Sequence, residues 1–268
     1  MATIEANGIT IHYEEFGPES SDAPPLLFFN GSFSTLATSR PLVQVFGSRL
    51  HTVAHDQRGL GETSIPPGPY TMAEYAADGL ALIDALGWDT CRVVGISFGG
   101  MVAQEFAVTN PDRVERLALM CTSPGGAGGS SYPMHELRAM PAEQRARVGI
   151  EIMDTRFSDA WFTEHPSDRA LVAAMSARPS PAEGSEAARG EYEQAAARSH
   201  HDVWDRLAAI TCPTLVAAGR YDGIASLANS EAIVSRVPNA ELRVYEGGHA
   251  FFAQDPKAFG EILDFLAL

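Results

Sequence analysis

Ser97 stands between glycines in the run Gly95-Ile96-Ser97-Phe98-Gly99-Gly100. The short run Cys91-Arg92-Val93-Val94 precedes it and reads as a buried strand, while Met101 to Ala107 reads as a helix. A G-x-S-x-G sequence on a strand-to-helix turn presents the serine hydroxyl at the edge of a sheet. The glycines remove the Cβ atoms that would collide where strand meets helix. The N–H of Phe98, at the start of that helix, points toward developing negative charge.

A serine hydroxyl is a weak nucleophile near neutral pH. It needs a histidine to take its proton and an acid to orient that histidine. Thr214 to Gly219 predicts a strand, and Arg220-Tyr221-Asp222-Gly223 follows it. Leu242 to Tyr245 predicts the next strand, and Glu246-Gly247-Gly248-His249 follows that. Asp222 and His249 therefore fall at the carboxyl ends of successive strands, on the edge where Ser97 emerges and where open α/β sheets bind ligands. Asp56 ends an earlier strand and is the competing acid.

Strands and helices alternate at both ends of the chain. Ile9 to Phe16, Pro25 to Phe29, Leu50 to Asp56 and Leu117 to Cys121 predict further strands. Thr71 and Glu74 form a capping box for a helix carrying Tyr75, Leu80, Leu82, Ile83 and Leu86. Ala225 to Val237 and the stretch from Pro256 predict helices near the C-terminal end. From about Met134 to Leu207 the pattern is helical and polar, without a convincing strand. The run Ser123 to Ser131 before it reads as a loop, and its part Gly125 to Ser131, rich in glycine, predicts a mobile entry to this insertion. The expected organisation is a core of residues 1–123 and 208–268, interrupted by a helical cap at 124–207.

The 268 residues, 45% hydrophobic and 20% charged, suit one globular α/β domain. A formal net charge of −15 disfavours nucleic acid and anionic membranes as partners. Met1-Ala2-Thr3-Ile4-Glu5 does not read as a signal peptide, and no apolar run is long enough to span a bilayer, so a cytoplasmic protein is expected. Cys91, Cys121 and Cys212 fall in or beside buried strands without a C-x-x-C pair, and read as small apolar core residues. The seven histidines other than His249 lack metal-ligand spacing, and His51 and His55 flank a buried strand. No metal and no cofactor are expected. Homo-oligomerisation is left open.

Over nearly its whole length the chain resembles the α/β-hydrolase family. Asn30-Gly31-Ser32-Phe33 stands where the family has His-Gly after its third strand. Asp56-Gln57-Arg58-Gly59-Leu60-Gly61 resembles the D-x-R-G-x-G turn, and the elbow, the acid loop and Gly248-His249 follow in family order. The resemblance implies a mostly parallel eight-stranded sheet with helices on both faces. It implies a Ser97–His249–Asp222 triad and an oxyanion hole from the N–H groups of Phe98 and Ser32. It makes Asp56 structural and Arg58 part of an ion pair.

Asn30 departs from the usual histidine, and the variant is similar to that of 3-oxoadipate enol-lactonases. The chain also resembles the non-haem haloperoxidase and perhydrolase branch. Asn30 either binds substrate or braces its loop. Phe33, Phe251 and Trp161 are the other candidate substrate contacts, with packing inside the cap the competing role for Trp161. Serine in place of aspartate at the elbow disfavours haloalkane dehalogenase and epoxide hydrolase chemistry. The expected function is hydrolysis of a small ester or lactone through an acyl-enzyme. The alternatives are C–C hydrolysis of a ring-cleavage diketone, perhydrolysis on the same triad, or a ligand receptor derived from a hydrolase.

Overall fold

The computed structural model describes residues 2–18, 24–176 and 180–268. Eight strands form one sheet: β1 (Ala2–Ala6), β2 (Ile9–Phe16), β3 (Leu26–Phe29), β4 (Thr52–His55), β5 (Cys91–Ile96), β6 (Val114–Met120), β7 (Thr214–Gly219) and β8 (Ala240–Tyr245). Their spatial order is β1-β2-β4-β3-β5-β6-β7-β8. Only β2 runs against its neighbours, pairing antiparallel with β1 and β4. From β4 to β8 every pair is parallel.

Side chains alternate between the two sheet faces, so each strand feeds two cores. Leu27, Phe29, Val93, Leu117 and Val216 pack under the helices α2 (Met72–Ala85) and α3 (Phe98–Thr109), and under Ile233 of Leu227–Arg236. Leu26, Phe28, Val94, Ala118 and Leu215 pack against α1 (Leu36–Gly47) and the C-terminal helix Ala258–Ala267. Burying both faces explains why β3, β5 and β7 are fully buried along their length. The capping box expected at Thr71 and Glu74 forms, with both reciprocal hydrogen bonds present.

Between β6 and β7 lie α4 (Met134–Ala139), α5 (Ala142–Met153), α6 (Asp159–Glu164), α7 (Pro166–Ser176) and α8 (Glu186–Ser199). Three helices complete the chain: α9 (Leu227–Arg236), α10 (Phe251–Gln254) and α11 (Ala258–Ala267).

The glycine run entering this insertion, expected as a mobile entry, is tied to neighbouring segments by hydrogen bonds. Gly125 bridges Asp202, Val203 donates to the Pro124 carbonyl, and the Asn229 amide donates to Gly129. A Cβ at Gly125 would lie 1.9 Å from the His201 carbonyl oxygen, and one at Gly128 2.2 Å from the Trp204 ring. Gly125 and Gly128 thus serve close approach.

His201 closes this junction. Its Nε2 lies 3.1 Å from the Ser123 carbonyl oxygen, so it donates there as a neutral ring. Burial pushes its pKa down to about 4 from the ordinary 6.5. The unfolded chain therefore gains a proton below 6.5 that the folded chain refuses until about 4. Stability is lost as pH falls through that window and levels off below it. Between pH 7 and 5 this one group removes about 2 kcal/mol. His201→Gln is expected to shrink the wild-type loss by about that amount in urea titrations at the two pH values. An unchanged loss would assign the acid sensitivity elsewhere.

Candidate active site

β5 ends at Ile96 and α3 begins at Phe98, so a single residue makes the turn. That residue, Ser97, has φ 55° and ψ −114°, a conformation costly for a side chain bearing a Cβ. Its backbone is held on both sides. Ser97 N–H donates to the Met120 carbonyl at 2.8 Å, and the Thr122 hydroxyl donates to the Ser97 carbonyl at 2.8 Å. The helix approaches the sheet so closely that a Cβ at Gly95 would lie 2.2 Å from the Gly99 carbonyl oxygen. A Cβ at Gly99 would lie 2.1 Å from the Phe29 carbonyl oxygen. The glycines of the motif are thus required by backbone on both sides of the turn.

Ser97 Oγ lies 2.9 Å from His249 Nε2, and His249 Nδ1 lies 2.8 Å from Asp222 Oδ2. With Nδ1–H donated to the carboxylate, the Nε2 lone pair faces the serine hydroxyl. Asp222 Oδ1 accepts from the N–H groups of Ile224 at 2.8 Å and Ala225 at 2.9 Å. These bonds fix the carboxylate, whose side chain is completely buried. Three residues that are far apart in the chain meet because β5, β7 and β8 are parallel and end at one edge.

The loop Asn30-Gly31-Ser32 passes beside the elbow, where a Cβ on Gly31 would sit 3.9 Å from Ser97 Cβ. Phe98 N–H opens α3, where a first-turn donor has no intrahelical acceptor. The Asn30–Ser32 loop and the start of α3 thus both border Ser97. The Phe98 ring itself is fully buried, edge-on to Tyr75 at 5.0 Å. Phe33 takes φ 60°, and its N–H donates to Gln194 Oε1 of α8 at 2.6 Å. Gln194 is completely buried and ties the helical insertion to this loop. Sequence reasoning missed it, because a glutamine in a polar helix carries no signal of its own.

Three expected substrate contacts are engaged by the protein itself. Asn30 is buried, its side-chain N–H₂ turned to the His55 carbonyl at 3.5 Å and its own carbonyl accepting from Gln57 at 2.8 Å, so it braces the loop. Phe251 is sealed in the core, stacked on Tyr245 with ring centroids 5.1 Å apart. Trp161 packs inside the insertion: it stacks on His165 at 3.7 Å, carries the Arg156 guanidinium at 4.5 Å, and donates to Asp168 at 2.8 Å. Phe33 stays beside the elbow loop and is half-buried.

Asp56 is occupied structurally. It accepts from the N–H groups of Leu36 at 2.6 Å and Glu62 at 3.0 Å, and lies 2.8 Å from His12 Nδ1. Arg58 forks onto Asp78 at 2.6 and 2.7 Å and reaches Glu74 at 2.8 Å. Cys91, Cys121 and Cys212 are free and buried, and burial pushes the Cys91 thiol up to about 12. Among the described residues no group of three His, Cys, Asp or Glu side chains is arranged to hold a metal. Among the same residues no helix is long and apolar enough to cross a membrane.

A second unforeseen feature is a strap from the end of α5. The Ile152 carbonyl accepts from Gly223 N–H at 3.0 Å, and the Met153 carbonyl accepts from His249 N–H at 2.6 Å. Thr155 N–H donates to the Tyr221 carbonyl at 2.9 Å. Between them Asp154, fully buried, pairs with Arg156 at 2.6 Å and accepts from Gln254 at 3.1 Å. Gln254 in turn accepts from Gly248 N–H at 2.9 Å. The insertion therefore holds both the acid loop and the histidine loop by main chain.

A family model described as the alpha/beta hydrolase fold matches residues 24–256. The chain is 26% identical over 262 residues to 3-oxoadipate enol-lactonase 2 of Acinetobacter baylyi, covering 98% of this chain and 94% of that one. It is 30% identical over 250 residues to poly(3-hydroxyalkanoate) depolymerase of Ectopseudomonas oleovorans, covering 92% and 85%. The crystal structure of the enol-lactonase from Burkholderia xenovorans LB400 superposes with a TM-score of 0.78 over the full length of both chains at 21% identity, a likeness of fold. The eight-stranded sheet, the ordered motifs and these matches together place the chain in the α/β-hydrolase fold family, as a hydrolase.

Proposed function

We propose that the chain is a serine hydrolase that cleaves a small ester or lactone through an acyl-enzyme on Ser97. The hydrogen-bonded line Ser97–His249–Asp222, at 2.9 and 2.8 Å, carries this reading. His249 takes the Ser97 proton as Oγ attacks the carbonyl carbon. Asp222 holds the imidazole in the tautomer that accepts it and stabilises the imidazolium that forms. The N–H groups of Phe98 and Ser32 stabilise the oxyanion. His249 then protonates the leaving alkoxide, and water repeats the sequence to release the acid. In a lactone the leaving alkoxide stays tethered until that second step. Residues 124–207 act as a cap that covers the substrate. The relatives named as a lactonase and as a poly(3-hydroxyalkanoate) depolymerase support the same bond type.

The test is a turnover screen over short-chain p-nitrophenyl esters, small lactones and ring-cleavage diketones, paired with organophosphonate labelling. Ester or lactone turnover with phosphonylation at Ser97, read by peptide mass, is expected. Preferential diketone turnover would move the chemistry to C–C bonds. An unlabelled Ser97 with no turnover would leave a ligand receptor.

A further inference from the structure

Arg198, at the end of α8, is a cation buried without a counter-ion. Only 9% of its surface is exposed, and among the described residues no carboxylate lies within ion-pair distance. Its Nη1 donates to the Tyr132 carbonyl at 3.1 Å and its Nη2 to Ser131 Oγ at 2.7 Å. A guanidinium has five N–H donors, so these two bonds leave three without an acceptor among the described residues. The Nε donor is one of them. Burial alone acts on the group and pushes its pKa down to about 10, so it stays charged near neutral pH.

The other strongly buried arginines differ. Arg58 is paired with Asp78 and Glu74. Arg92 lacks a paired carboxylate among the described residues as well, but it feels the charge of Glu115. Arg198 lines a cavity. The cavity holds about 70 Å³ and is bounded also by Met101, Ser123, Ser131, Tyr132 and His201. That is room for several waters or one small carboxylate. Met101 lies one helical turn beyond Ser97, and its N–H donates to the Ser97 carbonyl. The cavity thus abuts the helix that presents the nucleophile.

A buried charge is costly unless it is paired, and here no pairing carboxylate is found among the described residues. The planar guanidinium fork matches a carboxylate in shape and charge. Two carboxylates lie near His201: Glu105 is engaged by Arg206 at 2.6 Å, and Asp202 accepts from the Trp204 N–H at 3.0 Å. His201 is neutral and adds no charge of its own. We propose that Arg198 and this cavity form a carboxylate-binding site. The anion is either the acidic arm of the substrate, which would deepen and rest on the hydrolase reading, or a free small carboxylate.

The experiment uses the full chain and two matched esters, p-nitrophenyl butyrate and mono-p-nitrophenyl glutarate. Wild type, Arg198→Gln and Arg198→Lys are compared by the ratio of kcat/KM for the charged ester over the neutral one. Melting is followed with and without glutarate. Arg198→Gln is expected to lower the ratio at least tenfold, with Arg198→Lys between, and to erase a glutarate-induced rise in Tm. Glutarate competing with the charged ester identifies a substrate arm. Glutarate raising Tm without competing identifies a free-anion site. A ratio unchanged in Arg198→Gln, together with no Tm response in wild type, overturns the proposal. If Arg198→Gln fails to fold, Arg198→Lys carries the same comparison, since it keeps the charge and loses the fork. If neither ester is turned over, the hydrolase reading fails, and the Tm response alone decides the anion site.

Discussion

Ser97→Ala is expected to reduce ester hydrolysis on the order of 10⁶-fold in kcat, the scale of loss when a serine protease loses its nucleophile. In the proposed mechanism the residue makes the covalent bond, and among the described residues no other hydroxyl is hydrogen-bonded to His249 Nε2. Folding should survive. The hydrogen bonds that hold the elbow, from Ser97 N–H to Met120 and from Thr122 to the Ser97 carbonyl, are made by its backbone. Alanine can take the same φ of 55° at a cost similar to that of serine. Steady-state assays beside thermal melts decide the point. More than a few per cent residual activity in a cleanly purified variant would remove Ser97 as nucleophile.

Asp222→Asn is expected to lower kcat roughly 10⁴-fold, again on the scale known for a serine protease. The amide can keep the N–H bonds from Ile224 and Ala225 on its oxygen. It then turns its N–H₂ toward His249 Nδ1. The ring answers by protonating Nε2, which can no longer accept from Ser97. Asp56→Asn provides the contrast. That carboxylate serves Leu36, Glu62 and His12, so its loss should appear in the melting temperature and much less in kcat per folded molecule. Equal residual kcat in the two variants, after correction for folded fraction, would take Asp222 out of the catalytic line.

The legible part of the site was the part written in residue types that punctuate. Gly95, Ser97 and Gly99 mark a turn that few other residues tolerate, and Asp222 and His249 each follow an apolar strand directly. Strand order then brings them together without further instruction. Other elements gave weak signals. β1 is an edge strand with no fully buried residue, so it lacks an apolar stripe to read. α1 carries Pro41 inside it, which interrupts a helical reading. Phe251 is two residues from His249, yet the turn after β8 sends one ring toward Ser97 and the other into the core. Closeness in sequence could not separate them. Gln194 and Ile152 to Thr155 were invisible for a different reason. Their roles depend on contacts across more than sixty residues of chain, made largely by backbone groups that every residue type possesses.

The strap at Ile152 to Thr155 bears on how such a protein drifts through mutation. Its contacts to Gly223, His249 and Tyr221 are carried by carbonyls and N–H groups. Side chains at Ile152, Met153 and Thr155 can therefore change while those bonds persist. Insertion or deletion of one residue cannot be absorbed so easily, because it shifts every donor and acceptor out of register beneath two loops of the proposed reaction centre. Asp154, buried and paired with Arg156, marks the register within the segment. Diversification of the surrounding helices is thus free in composition and constrained in spacing, and a transplanted insertion would have to match this segment residue for residue in length.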